Sequence, residues 1–269
     1  MLFRGYIDES IDGIQNIFTL SCLIARGKAW TEMERLWKQE VKAKNKELQR
    51  SGRPLISRYH ASDCSGRHGE FEGWSLDERD RFVIALFKLF KKFRCHATVF
   101  DLQLDEVCEV FPEWKKDRLR AGYYVSTVFM MHQIGLDLEN GSEGKQYTIT
   151  LFHDRTGGNG RYDSTILDAF NRQKNEKNLP YKDCFTTIAP LEWERCMALQ
   201  PADLVAFECM KQTEARLDAR PSRKSFKALI DMETFGIAHV SFEKRTLLRL
   251  REGLNRNGLL PAPIAASPE

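Results

Sequence analysis

Residues 2–25, LFRGYIDESIDGIQNIFTLSCLIA, decide the fold of this chain. Leu2 to Asp8 is a short strand that ends in acid, and Ile17 to Ala25 is a second run of strand length. Between them lies Asp12-Gly13, a pair suited to the positive φ of a tight hairpin turn. An antiparallel hairpin therefore opens the chain.

Outward from the hairpin, the hydrophobic period changes. Met33, Leu36, Trp37, Val41 and Leu48 recur at helical spacing, which predicts an amphipathic helix from Thr31 to Arg50. Ser51, Gly52 and Pro54 end it, and Leu55 to Tyr59 reads as a third strand leading into the polar loop HASDCSGRHGEFEG. Ser75 and Glu78 have the spacing of a capping box before a helix that ends near Phe93. Cys95 to Leu102 is β-rich and ends at Asp101, and a long apolar helix follows from about Arg118 to Leu138. Tyr147 to His153 (YTITLFH) is the cleanest strand and ends at Asp154. A helix, a strand from Asp183 to Ile188 and a helix opened by Pro201 come next. Helices around Lys224–Met232 and Phe242–Leu254 close the chain before a disordered tail at 261–269. Hairpin first, then alternating helices and strands, predicts one α/β domain over residues 1–260. Its mixed β-sheet carries helices on both faces, with a basic helical insertion at about 29–58.

The 269 residues are 42% hydrophobic and 29% charged, enough for a real core. A net charge of +3 is too small to argue for nucleic acid by itself, so any such case rests on local patches. Seven cysteines with no CxxC pair argue against a zinc knuckle and for a reducing compartment. The N-terminus meets acids by its eighth residue, unlike a secretory signal, and the Ala121–Leu138 run carries Ser126, His132, Gln133 and Asp137, unlike a membrane span. A cytoplasmic protein with no membrane partner is expected.

Three acids stand where chemistry would want them. Asp8 and Asp154 end strands, and Asp203 lies in the first turn of the Pro201 helix. Sites in open α/β sheets gather at the carboxyl ends of strands, and carboxylates suit Mg²⁺ or Mn²⁺. Strand ends also reach the surface in any fold, and an acid in a first helical turn can simply favour the helix dipole. Asp203, however, shares a face with Ala206, Phe207 and Met210, so it points inward, where an unpaired carboxylate is costly. Glu9 follows Asp8 and faces the other side of an unbent strand. Asp101 competes with Asp154 for the role of second metal ligand, and the arginine after Asp154 decides for the latter. Glu192 and Glu194 read as solvated loop acids. His60, beside Asp63 in the HASD loop, is either a surface histidine or a proton shuttle.

From Lys38 to Arg58 seven basic residues face only Glu40 and Glu47. Lys42, Lys46 and Arg50, at i, i+4 and i+8, share one face and could track a phosphate backbone, as could Arg155. A solvated helix face has the same pattern.

YIDES, HASD, FHDR and LQPADLVAF, in this order and spacing, resemble the bacterial family called domain of unknown function 3800, over roughly Phe3 to Lys211. The resemblance implies a ribonuclease-H-like fold, with the family's acids on Asp8, Glu9, Asp154 and Asp203 and Gln200 positioning the last helix. Ile11 stands where that family usually has glycine. In a ribonuclease-H sheet the strand beside the first follows the first core helix, which by counting is CHATVFD. The resemblance also implies a mobile-element or anti-phage defence setting with a partner protein encoded in the same operon. The expected function is a two-metal nuclease on DNA or RNA. The alternatives are a phosphoesterase on a small nucleotide, or a non-catalytic subunit of a nucleic-acid-processing complex.

Overall fold

The computed structural model describes residues 1–93, 95–141, 147–156, 159–176, 179, 181–192, 196–232 and 236–256. The expected tail at 261–269 and Glu194 lie outside them. Among the described residues the strands are β1 (Leu2–Asp12), β2 (Ile17–Arg26), β3 (Cys95–Gln103), β4 (Thr148–Asp154), β5 (Phe185–Leu191) and β6 (Gly236–Ser241). They form one mixed sheet in the order β5-β4-β1-β2-β3-β6. β1, β2 and β3 form an antiparallel run, while β4 and β5 run parallel to β1 and β6 parallel to β3. The chain is an α/β protein.

Strand side chains alternate faces, so β1 sends Tyr6 into one core and Ile7 into the other. The first core lies under α1 (Gly27–Arg50), α3 (Leu76–Leu89), α7 (Leu199–Leu217) and α8 (Lys224–Ile230). The second lies under α4 (Leu104–Val110), α5 (Arg118–Gly141), α6 (Asp163–Asn175) and α9 (Lys244–Arg256). The sheet is thus buried on both sides, which explains the near-continuous burial of β2. Among the described residues no helix is long and apolar enough to cross a membrane. All seven cysteines are free.

α1 begins four residues earlier than the apolar period suggests, directly from β2. Trp30, Met33, Leu36, Trp37 and Leu48 are its buried stripe. Trp30 sets its ring edge on Tyr6 at 4.5 Å and donates from Nε1 to the Arg4 carbonyl at 2.9 Å. On the other face Gly122 lets α5 approach β2 closely, since a Cβ there would stand 3.0 Å from the Phe18 ring. That approach carries the next residue, Tyr123, toward β1.

Several elements differ from the sequence expectation. Leu55 to Tyr59 belongs to no strand and bends at Ser57 and Arg58. Its backbone is held by side chains instead: Asn45 bonds both the N–H and the carbonyl of Ile56, and Gln200 accepts from the Tyr59 N–H. β1 continues past Asp8 to Asp12, because its pairing with β2 runs into the turn. β5 starts at Phe185, after a turn at Lys182–Cys184. CHATVFDL does not lie beside the first strand; it extends the antiparallel run on β2, and on the other side of β1 from β2 lies β4. The short helix α4 and the edge strand β6 had no clear sequence signal.

Candidate functional site

β1 and β4 pair in parallel from Leu2 and Thr148 to Ile7 and His153, and there the ladder ends. Asp8 and Asp154 are the next residue on each strand, so both acids stand where neighbouring strands part. Asp8 has the same parity as Tyr6 and faces α7. Glu9 has the opposite parity, and its Oε1 accepts from the Tyr123 hydroxyl of α5 at 2.6 Å.

α7 supplies the third acid. Ser21 on β2, the cross-strand partner of Asp8, donates to the Ala202 carbonyl at 2.8 Å and pins the helix start to the sheet. α7 starts at Leu199, so Asp203 sits in its second turn and not its first, and the dipole explanation for this acid weakens. Its side chain points inward and is 9% exposed. Asp203 Oδ2 accepts from the Ala61 N–H at 2.8 Å, at the start of the short helix α2 (Ala61–Gly66) in the HASD loop. Gln200 ties the same loop to α1: its Oε1 accepts from Trp37 Nε1 at 2.9 Å and from the Tyr59 N–H at 3.1 Å.

These contacts close a cleft of about 300 Å³ lined by Asp8, Glu9, Tyr59, His60, Asp154, Leu199, Gln200 and Asp203. Among the described residues no lysine or arginine lines it. Burial pushes the Asp8 carboxyl well above the usual range, and the charges of Asp203, Glu9 and Asp154 push further, against the Glu9 N–H that bonds Asp8 Oδ1 at 2.8 Å. Burial raises Glu9 to about 7, opposed by the Tyr123 hydroxyl. Burial raises Asp203 to about 6, opposed by His60 and the Ala61 N–H. Each acid thus resists ionisation because of its neighbours and its burial. Among the described residues, no three His, Cys, Asp or Glu side chains are gathered tightly enough to clasp an ion as they stand. Asp8, Glu9 and Asp203 are instead each turned to a protein donor.

Against protein-family models and against curated proteins, the sequence has no match.

The remaining expected residues fall as follows. His60 lines the cleft at its rim, with Nδ1 at 2.9 Å from Asp63 Oδ2. Arg155 is exposed, immediately after Asp154, with its backbone N–H on the Leu191 carbonyl. Lys42, Lys46 and Arg50 are all exposed, on the half of α1 beyond the Trp37 anchor at the cleft. Lys44 and Arg53, from the same basic segment, are drawn into ion pairs with Glu78 at 2.6 and 2.8 Å. Glu192 is half-buried and does not line the cleft. Asp101 is outside it too. This carboxylate is buried at the other end of α7, accepting from Thr19 at 2.5 Å, from Thr213 and from Ser241, with His239 Nε2 at 2.5 Å. Tyr59, Tyr123 and the Ala61 N–H belong to the site without any sequence signal, because each is a local donor or wall brought in by the fold.

Proposed function

We propose that this chain is a metal-dependent nuclease of ribonuclease-H-like fold, hydrolysing phosphodiester bonds of DNA or RNA. The observation that carries the proposal is the cleft itself. Asp8, Glu9, Asp154 and Asp203 are crowded around one small space that, among the described residues, no lysine or arginine lines, an arrangement that opposes folding unless cations relieve it. The strand order supports the fold: the antiparallel run comes first, and the strand beside the first follows the long helix α5. Membership of the family that the YIDES, HASD and QPAD motifs resemble is part of the same proposal.

The donor set is oxygen alone, which fits Mg²⁺ or Mn²⁺ rather than softer metals. Asp8, Asp154 and Asp203 would hold the ions, with Glu9 as a further ligand if it leaves Tyr123. Bound there, such ions stabilise the attacking and leaving oxygens of a phosphodiester displacement. The protein supplies the rest. The Gln200 and Ser21 contacts fix where Asp203 stands relative to Asp8. Asp63 orients the His60 ring at the rim, where it can take up a proton from the attacking water. Lys42, Lys46, Arg50 and Arg155 offer exposed positive charge to the rest of a nucleic-acid strand.

Incubation with labelled single- and double-stranded DNA and RNA, with Mg²⁺, Mn²⁺ or chelator, tests the proposal. Cleavage of at least one substrate that stops in chelator is expected. Cleavage of a small phosphodiester with all four polymers left intact would favour the small-substrate phosphoesterase instead.

A further inference from the structure

Gln200 has more to offer the site than its anchor. The residue is 6% exposed and lines the acid cleft. Two groups point at one atom of its amide: the Trp37 indole N–H and the Tyr59 backbone N–H. Both can only donate, so that atom must be the oxygen. The orientation of the amide is therefore fixed by its partners. The –NH₂ end has no freedom to exchange places with the oxygen, and Nε2 has no hydrogen-bond partner among the described residues. The amide lines the cleft with two unused donors, so they are open to an acceptor that enters it. It sits on the second residue of a 19-residue helix, at the end whose dipole favours negative charge.

We propose that the Gln200 –NH₂ group donates a hydrogen bond to a nonbridging oxygen of the substrate phosphodiester, beside the carboxylates. The inference rests on the phosphodiester substrate proposed above and adds a substrate-contacting residue to it. The chemistry is complementary. A phosphodiester entering a cleft of carboxylates brings its own negative oxygens, and those not facing cations need a donor. A neutral amide supplies one without pairing with the acids, as a lysine would. Because Trp37 and Tyr59 hold it before substrate arrives, the donor needs no reorganisation when charge builds on the phosphorus oxygens.

The test uses a short oligonucleotide of the class that wild-type protein cleaves. A single phosphorothioate is placed at the cleaved bond, and its two diastereomers are assayed separately. Sulfur accepts hydrogen bonds poorly, so a donor on one nonbridging oxygen makes one diastereomer slow. Gln200→Met removes both the anchor and the donor. Trp37→Phe removes one anchoring bond and keeps the donor. With Gln200→Met, kcat on the all-oxygen substrate is expected to fall about 10²–10³-fold, the scale for losing one preorganised oxyanion donor. The sulfur penalty on one diastereomer should shrink with it. With Trp37→Phe, kcat should stay within about fivefold, the scale of one neutral hydrogen bond, and the sulfur penalty should persist. If methionine lowers the melting temperature, Gln200→Glu serves instead. It keeps an oxygen for Trp37 and Tyr59, replaces the donor, and should show the same losses. Equal losses in the Gln200 and Trp37 variants with the sulfur penalty unchanged would overturn the inference and leave Gln200 a structural anchor. Wild-type protein that cleaves no phosphodiester would overturn the nuclease proposal and this inference with it.

Discussion

Replacing Asp203 by asparagine should stabilise the protein above neutral pH, although it removes a residue proposed to be functional. Asp203 is buried at the start of α7, and burial holds its carboxyl at about 6, against an ordinary value of 3.8. Below the ordinary value the group is protonated whether the chain is folded or not, and contributes nothing. Between 3.8 and about 6 the folded protein keeps a proton that the unfolded chain has released, so stability falls as pH rises. Above about 6 the loss is complete. At about 1.36 kcal/mol for each tenfold change in acidity, the loss is roughly 3 kcal/mol. Asparagine keeps an oxygen for the Ala61 N–H, now at 2.8 Å, but as a neutral acceptor, which gives back about 1 kcal/mol. The expected net gain near pH 8 is roughly 1–3 kcal/mol, or several degrees in melting temperature for a chain of this size. Thermal or urea denaturation in chelator, at about pH 4 and about pH 8, measures it. The gain should vanish at the lower pH, where wild-type Asp203 is protonated. A variant destabilised equally at both values would show that the carboxylate is not electrostatically opposed in the fold.

Other outcomes follow from the same geometry. Asp8→Asn should remove metal-dependent cleavage and leave circular dichroism and melting behaviour near wild type or better, because it too relieves the acid crowding. Cleavage at the wild-type rate would place the chemistry elsewhere. Asp101→Ala should do the reverse: it strands Thr19, Thr213 and His239 without their shared acceptor, so a stability loss on the order of 3–5 kcal/mol is expected in a denaturant titration. A small loss would mean that water replaces the carboxylate readily. Changing Lys42, Lys46 and Arg50 together to glutamate should weaken nucleic-acid binding and flatten its log–log salt dependence by about 0.7–0.9 per lost phosphate contact. An unchanged slope would make that face of α1 ordinary surface.

Much of the frame was legible because period and punctuation agreed. The opening hairpin, the Met33–Leu48 helix stripe and the YTITLFH strand each combine an apolar pattern with a clear end. Ser75 caps α3 as its spacing implies, accepting from the Glu78 N–H, though the Glu78 carboxylate turns away to Lys44 and Arg53. Leu55–Tyr59 misleads because a run of strand length need not join the sheet: Asn45 and Gln200 bond its backbone from the side. β6 was missed because GIAHVS is short, half-buried and at the sheet edge, where little apolar alternation is required. At the site, Asp8, Asp154 and Asp203 stand out in sequence because acids interrupt or head apolar runs. The separation of Asp101 from Asp8 is different. It depends on which strand lies beside β1, a tertiary fact that two equally acid-ended strands leave open. The Tyr123 hydroxyl, the Ala61 N–H and the fixed direction of the Gln200 amide have no sequence signature, since each is a donor defined only by what stands opposite it.

The cleft acids are proposed to act together on divalent cations, and calorimetric titration with Mn²⁺ addresses that claim most directly. Wild-type protein should bind Mn²⁺, and Asp8→Asn and Asp154→Asn should each lose most of that binding, while Asp101→Asn retains it. Mn²⁺ binding that survives both cleft substitutions, or no binding by wild-type protein, would contradict it.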